Sequence, residues 1–200
     1  MKISKIFYLL LLTLTTSCVE TVVIGSLGGG VLATREKTLK STRSDILITA
    51  TLSTDFITHG LKNPGSIINF SVNEGRVLLT GIARDPMKAK RAQDLSWGAL
   101  GVKEVIDEVQ ISEEGFKAKD ISSAFYDYII TAEVEFKLLS ARDINWPNYK
   151  ITTVAGSVYL FGVVANDFEM QRALTIVSKI RGVEKVVNHL VLRDDPRRRG

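Results

Sequence analysis

The chain has 200 residues, 45% of them hydrophobic, and one cysteine, Cys18, which excludes an internal disulfide. Its formal charge of +4 comes from 26 basic and 22 acidic residues. Lys2 and Lys5 belong to an N-terminal leader, and the remaining 24 against 22 is not the balance of a nucleic-acid-binding protein.

In chain order, Lys2 and Lys5 form a positive region and residues 6–14 an apolar run too short to span a bilayer, so residues 1–17 read as a leader peptide. Ser17-Cys18 closes the run and resembles a bacterial lipobox, with Thr15 where Leu is usual and Leu14 one place earlier. That resemblance implies acylation of Cys18. The alternative is an ordinary secretory signal with an incidental cysteine. Two or more acyl chains would hold the chain firmly on a bilayer, since each buried CH₂ contributes about 0.8 kcal/mol. Val19 rather than Asp after the cysteine resembles an outer-membrane address. Residues 18–43 form a Gly-rich and basic tether. Its Gly-Ser-Leu-Gly-Gly-Gly run has no preceding strand and no closing Lys-Ser/Thr, so it is not a nucleotide loop.

Beyond the tether the chain repeats itself. Residues 69–111 recur at 150–192 with a constant shift of 81: Gly75 falls on Gly156, Gly81 on Gly162, Ala92 on Ala173, Gly101 on Gly182, Val105 on Val186. The shared residues are glycines and apolar side chains, where backbone freedom and packing restrict choice. Upstream, Asp45-Ile-Leu-Ile-Thr-Ala50 resembles Asp127-Tyr-Ile-Ile-Thr-Ala132 at a shift of 82. One residue is therefore lost between the blocks, in a connection holding Pro64 or Pro147.

Each copy reads helix, strand, strand, helix, strand. A helix over residues 45–58 has the apolar face Ile48, Leu52 and Phe56, repeated as Ile130, Val134 and Leu138. Strands at 67–72 and 76–80 flank a turn at Asn73-Glu74-Gly75, repeated at 149–154 and 157–161 about Ala155-Gly156. Gly81 and Gly162 are expected to end these strands. Asp85-Pro86 and Asn166 cap second helices, Gly101 and Gly182 stop them, and residues 102–111 and 183–192 supply the last strands. Two helices on one face of a three-stranded mixed sheet leave the other face to be solvated or docked. Tyr159 and Phe161 point to that face and are expected at the interface between the copies. The boundaries follow as 44–112 and 121–193, with a polar basic tail at 194–200 expected to be solvated.

The αββαβ unit, the strand glycines in Val77-Leu-Leu-Thr-Gly81 and Val158-Tyr-Leu-Phe-Gly162, and the pair Gly101-Val-Lys-Glu-Val105 and Gly182-Val-Glu-Lys-Val186 resemble the BON domain. Two such units behind a lipobox are similar to the dual-BON outer-membrane lipoproteins of Gram-negative bacteria. The resemblance implies an α+β fold of two tandem BON domains. It also implies a lipid-anchored, periplasm-facing location and binding of anionic phospholipid through the first helix of the second domain.

In this chain that helix is about residues 123–141. It carries Phe125, Tyr126, Tyr128 and Phe136, with Lys137, Arg142 and Lys150 placed to meet phosphates. The family's interfacial tryptophan aligns with Ile129, and Trp146 follows the helix instead. Glu133 and Glu135 make the helix less basic than an anionic-lipid reader requires. Two readings stand for the aromatics: contact with membrane, or filling of the core or inter-domain seam.

His59 and His189 belong to no spaced metal set, and no nucleophile elbow or Walker loop occurs. Asp107, Glu108, Glu113 and Glu114 read as solvated charges at strand ends. The chain is expected to be no enzyme, to take no cofactor, metal, small-molecule substrate or nucleic acid, and to work by binding. Membrane phospholipid is one partner class. The other is a protein of outer-membrane assembly or division, docked on the domain pair as a scaffold.

Overall fold

A computed structural model describes residues 39–63, 66–114 and 119–198. Cys18, the leader, the Gly-rich run and Pro64 lie outside these residues. The first helix, α1, spans Leu39–Thr58. It reaches into the expected tether, where residues 39–44 hold no Gly or Pro to interrupt a helix. A two-residue strand β1, Lys62–Asn63, precedes the hairpin of β2, Ser66–Asn73, and β3, Arg76–Ala83. Helix α2, Pro86–Gly98, crosses over to β4, Glu104–Ile111. The second copy follows with α3, Lys119–Ser140, a 3₁₀ turn at Trp146–Asn148, β5, Tyr149–Val154, and β6, Ser157–Val164. Helix α4, Asp167–Val177, and β7, Lys185–Leu192, complete it.

The first sheet has the order β1-β2-β3-β4, one short edge strand more than expected, and the second β5-β6-β7. In each, the hairpin is antiparallel and the crossover through the second helix makes the last pair parallel. The apolar faces of the helices fill one side of each sheet. Ile48, Leu52 and Phe56 pack on Ile68, Val77 and Leu79, while Ile130, Val134 and Leu138 pack on Val158 and Leu160. Each such side chain contributes about 1.5–3 kcal/mol by leaving water.

Both hairpin turns place two residues at positive φ, Glu74 (55°) with Gly75 (79°) and Ala155 (47°) with Gly156 (73°). A residue with a Cβ disfavours that region by about 1–2 kcal/mol. A carboxylate from the first helix holds each turn in place. The Glu74 and Gly75 N–H groups donate to Asp45 Oδ2 and Oδ1, both at 2.8 Å. The Ala155 and Gly156 N–H groups donate to Asp127 at 2.8 and 2.9 Å. This is why the Asp recurs in both copies.

Gly81 and Gly162 lie inside β3 and β6 rather than ending them. At φ of 123° and 148°, a Cβ there would lie 2.0 Å from the Ile67 carbonyl oxygen or 2.2 Å from that of Asn148. The glycine lets the neighbouring strand approach, and the ladder continues past it.

The uncovered faces of the two sheets meet. Leu78, Val154, Tyr159 and Phe161 form a third buried cluster, with Ile82, Ile106 and Val187 against it. The result is four layers: helices, sheet, sheet, helices.

Candidate functional site

Helix α3 has two apolar faces. Ile130, Val134 and Leu138 are buried in the second core. On the opposite side Phe125, Tyr128, Ile129, Phe136 and Leu139 follow one another at helical spacing and are exposed by 62, 70, 44, 64 and 58%. Phe125 also packs edge-on against the exposed Tyr126. Lys137 is exposed on the flank of this stripe. Trp146 is not part of it: it is half-buried and packs against the second core. The corresponding outer face of α1 exposes Ile46, Leu47 and Ile57, with Arg43 and Thr54 where α3 has Phe125 and Phe136. The aromatic stripe therefore belongs to the second copy alone.

Tyr159 and Phe161 lie in the seam, exposed by 3% and 0%. The Arg76 guanidinium stacks 4.9 Å from the Phe161 ring centre, pairs with Glu104 at 2.5 Å and donates through Nη1 to the His189 carbonyl at 3.2 Å. Gln110 Nε2 donates to Tyr159 Oη at 3.4 Å, and Asn73 Nδ2 to the Asn148 carbonyl at 3.3 Å. Burial raises the Tyr159 pKa above its ordinary value; the hydrogen bond from Gln110 acts against this and Glu108 adds to it. Arg76 has no counterpart in the second copy, where Ser157 stands, so the repeat gave no signal of it.

Two expectations about charge are corrected. Asp107 and Glu108 sit mid-strand, not at a strand end, and both have partners: Gln93 Nε2 donates to Asp107, and Glu108 meets His189 Nε2 at 2.9 Å. The tail is not free in solvent over its described part. Pro196–Arg198 forms a 3₁₀ turn, and Arg198 donates to both carboxylate oxygens of Glu74 at 2.7 and 3.0 Å. Two parallel bonds between planar groups hold this contact. Beside it, hydrogen bonding from Arg197 holds Asp195 down at about 2.

A buried network distinguishes the second copy further. Glu169, at the third position of α4, accepts from Tyr149 Oη (2.8 Å) and from the N–H groups of Asn145 and Ala165 (both 2.7 Å). Its own N–H donates to the N-cap Asn166. Burial, then the hydrogen bond to Glu169, pushes the Tyr149 pKa well above the ordinary tyrosine range. The first copy has Lys88 and Ile68 at the equivalent places. Tyr149 and Glu169 are cut off from solvent, so the network fixes structure rather than presenting chemistry. Among the described residues no three His, Cys, Asp or Glu side chains gather as a metal site.

The BON domain family model matches residues 44–113 and 126–194. This chain belongs to the BON-domain family. Its two BON domains are the α+β units described above, docked sheet to sheet. Among relatives, an uncharacterized protein in the gshII 5' region of Anaplasma centrale is 30% identical over 155 residues, 78% of this chain and 99% of that protein. The outer membrane lipoprotein DolP of Haemophilus influenzae is 32% identical over 127 residues, 64% of this chain and 63% of its own length. Osmotically-inducible protein Y of Escherichia coli is 28% identical over 149 residues, 73% and 71% of the two chains. No described helix of this BON-domain protein is long and apolar enough to cross a membrane.

Proposed function

We propose that this BON-domain protein is an envelope lipoprotein of the outer membrane. In this reading it is tethered through acylated Cys18, faces the periplasm, binds anionic phospholipid through its second domain and supports membrane integrity. The observation that carries the reading is the exposed stripe of Phe125, Tyr128, Ile129 and Phe136 on α3, opposite a face already committed to the core. Such a stripe is costly in water and suited to the headgroup boundary, where apolar bodies and polar tips are both accommodated. Lys137 at its flank meets lipid phosphates. Trp146 supports the helix from beneath rather than touching lipid. The similarity to an outer membrane lipoprotein supports the location.

Flotation of the chain without residues 1–18 on vesicles of phosphatidylcholine with and without phosphatidylglycerol tests this. Binding should require phosphatidylglycerol and weaken about tenfold with Phe136→Ser or Tyr128→Ala, the loss from one large apolar contact. Palmitate labelling that disappears in Cys18→Ala tests the tether.

A second reading, a scaffold for outer-membrane assembly or division proteins, is favoured by Ile46, Leu47 and Ile57 exposed on α1. Absence of vesicle binding at every salt concentration would select it.

A further inference from the structure

A groove of about 360 Å³ runs between the two BON domains, lined by Ile67 and Ile82 of the first sheet and by Ala124, Tyr128, Thr131 and Ile151 of the second domain. This volume falls within the range of small-molecule pockets. Its wall is mostly apolar, and three of its polar side chains are already engaged. Both Asp127 oxygens hold the 155–156 turn, and the Thr131 and Thr153 hydroxyls bond each other at 2.7 Å. Asn69, Ser123 and Thr152 also line the groove, so the slot is apolar in the main with a few neutral polar groups along it.

The rim is different. Ile67 pairs across the sheet with Ile82 on one side and with Lys62 on the other. Directly paired residues project to the same face of a sheet, so Lys62 stands on the groove's side, next to Ile67. Arg84 follows Ile82 by two residues, in the bend just past the end of β3. Both are exposed, and neither side chain has an ion-pair or hydrogen-bond partner among the described residues. Tyr128 belongs at once to the groove wall and to the outer stripe of α3.

We infer that this inter-domain groove seats one acyl chain of an anionic phospholipid whose phosphate lies on Lys62 and Arg84 of the first BON domain. An apolar slot beside two unpartnered cations is complementary to an amphiphile with a negative head. Its continuity with the aromatic stripe through Tyr128 gives a chain entry from the bilayer. The inference rests on the reading of α3 as membrane-facing and adds a role for the first domain. That domain supplies the phosphate contacts that the acidic residues of α3, Glu133 and Glu135, disfavour.

The test uses the full chain reconstituted in phosphatidylcholine vesicles containing a minority of phosphatidylglycerol with a diazirine at the end of one acyl chain. After photolysis, adducts should map to peptides holding Ile67, Ile82, Ala124 and Thr131. Ala124→Trp, which fills the slot from an exposed position, should reduce them about tenfold, and so should Lys62→Glu with Arg84→Glu, each by loss of roughly one strong contact. Excess unlabelled phosphatidylglycerol should compete, and oleate should not. Adducts confined to Phe125, Phe136 and Leu139 would overturn the groove while leaving the membrane reading of α3 standing. Groove adducts indifferent to both sets of variants, or displaced by oleate alone, would also overturn it. Absence of adducts on either surface would overturn both readings.

Discussion

Glu108 and His189 occupy the same place in the two repeats, 81 residues apart, and they meet across the domain seam at 2.9 Å. Each lies in the last strand of its sheet, beside Thr80 and Phe161 respectively, which are themselves equivalent positions. Contact between equivalent positions is what a two-fold arrangement produces at its axis. Leu78 with Tyr159, and Ile106 with Val187, are further equivalent pairs in the same seam. The two domains are thus docked like the halves of a dimer, joined in one chain.

The seam contact is partly buried on both sides, so it should be worth more than a surface pair and remain modest. A double-mutant cycle with Glu108→Ala and His189→Ala should give a coupling of about 1 kcal/mol from urea unfolding. Arg76→Ala should be costlier, about 3 kcal/mol or more, because it leaves Glu104 without its nearest cation and uncovers Phe161. If Arg76→Ala shifts stability no more than a surface substitution, the account of the seam is wrong.

The aspartates under the hairpin turns should be unequal. Asp45 is buried and Asp127 is only half-buried, although each accepts two backbone N–H groups. Thermal unfolding should show a loss of about 2–4 kcal/mol for Asp45→Ala and about half that for Asp127→Ala. Asn, which keeps one acceptor oxygen, should recover part of each loss.

Glycine substitutions separate steric need from helix propensity. Gly81→Ala and Gly162→Ala place a Cβ inside a neighbouring carbonyl oxygen at an unfavourable φ. Each should abolish folding or cost more than about 4 kcal/mol. Gly98→Ala, where nothing lies within 4 Å, should be neutral or stabilise by about 0.5–1 kcal/mol. Soluble, well-folded Gly81→Ala protein with an unchanged melting point would contradict the strand geometry.

The buried tyrosine sets an alkaline limit. The folded Tyr149 pKa lies above its ordinary value of 10.0. The corresponding stabilisation is complete below that pH and declines as pH rises beyond it. Tyrosinate absorbance should show Tyr149 silent until the protein unfolds. Tyr149→Phe should flatten the alkaline fall in stability while lowering stability at neutral pH by about 1–3 kcal/mol, since Glu169 loses a donor. Titration of every tyrosine near pH 10 in the folded protein would refute this.

The repeat made most of one domain legible in advance. Ile48, Leu52 and Phe56, and Ile130, Val134 and Leu138, are core residues at helical spacing, and the caps at Asp85 and Asn166 accept from the first turns of α2 and α4. Periodicity and capping are local, so a sequence records them directly. Gly81 and Gly162 misled as strand ends because a glycine reads the same whether it breaks a strand or admits a close neighbour. The tail misled because Arg198 and Glu74 are far apart in sequence and nothing local announces their contact.

By itself, the sequence determined the two-copy architecture, the α+β composition of each copy and the asymmetry that gathers aromatics in the second. Apolar spacing and turn residues are imposed by backbone geometry and survive in the one-dimensional pattern. Only the tertiary structure decided which apolar residues share a surface. It placed Tyr159 and Phe161 between two sheets, turned Phe125 and Phe136 outward on a helix whose other face was already filled, and opened a groove beside Lys62. Those outcomes depend on how two finished domains dock, and docking selects among faces that look equally apolar in the sequence.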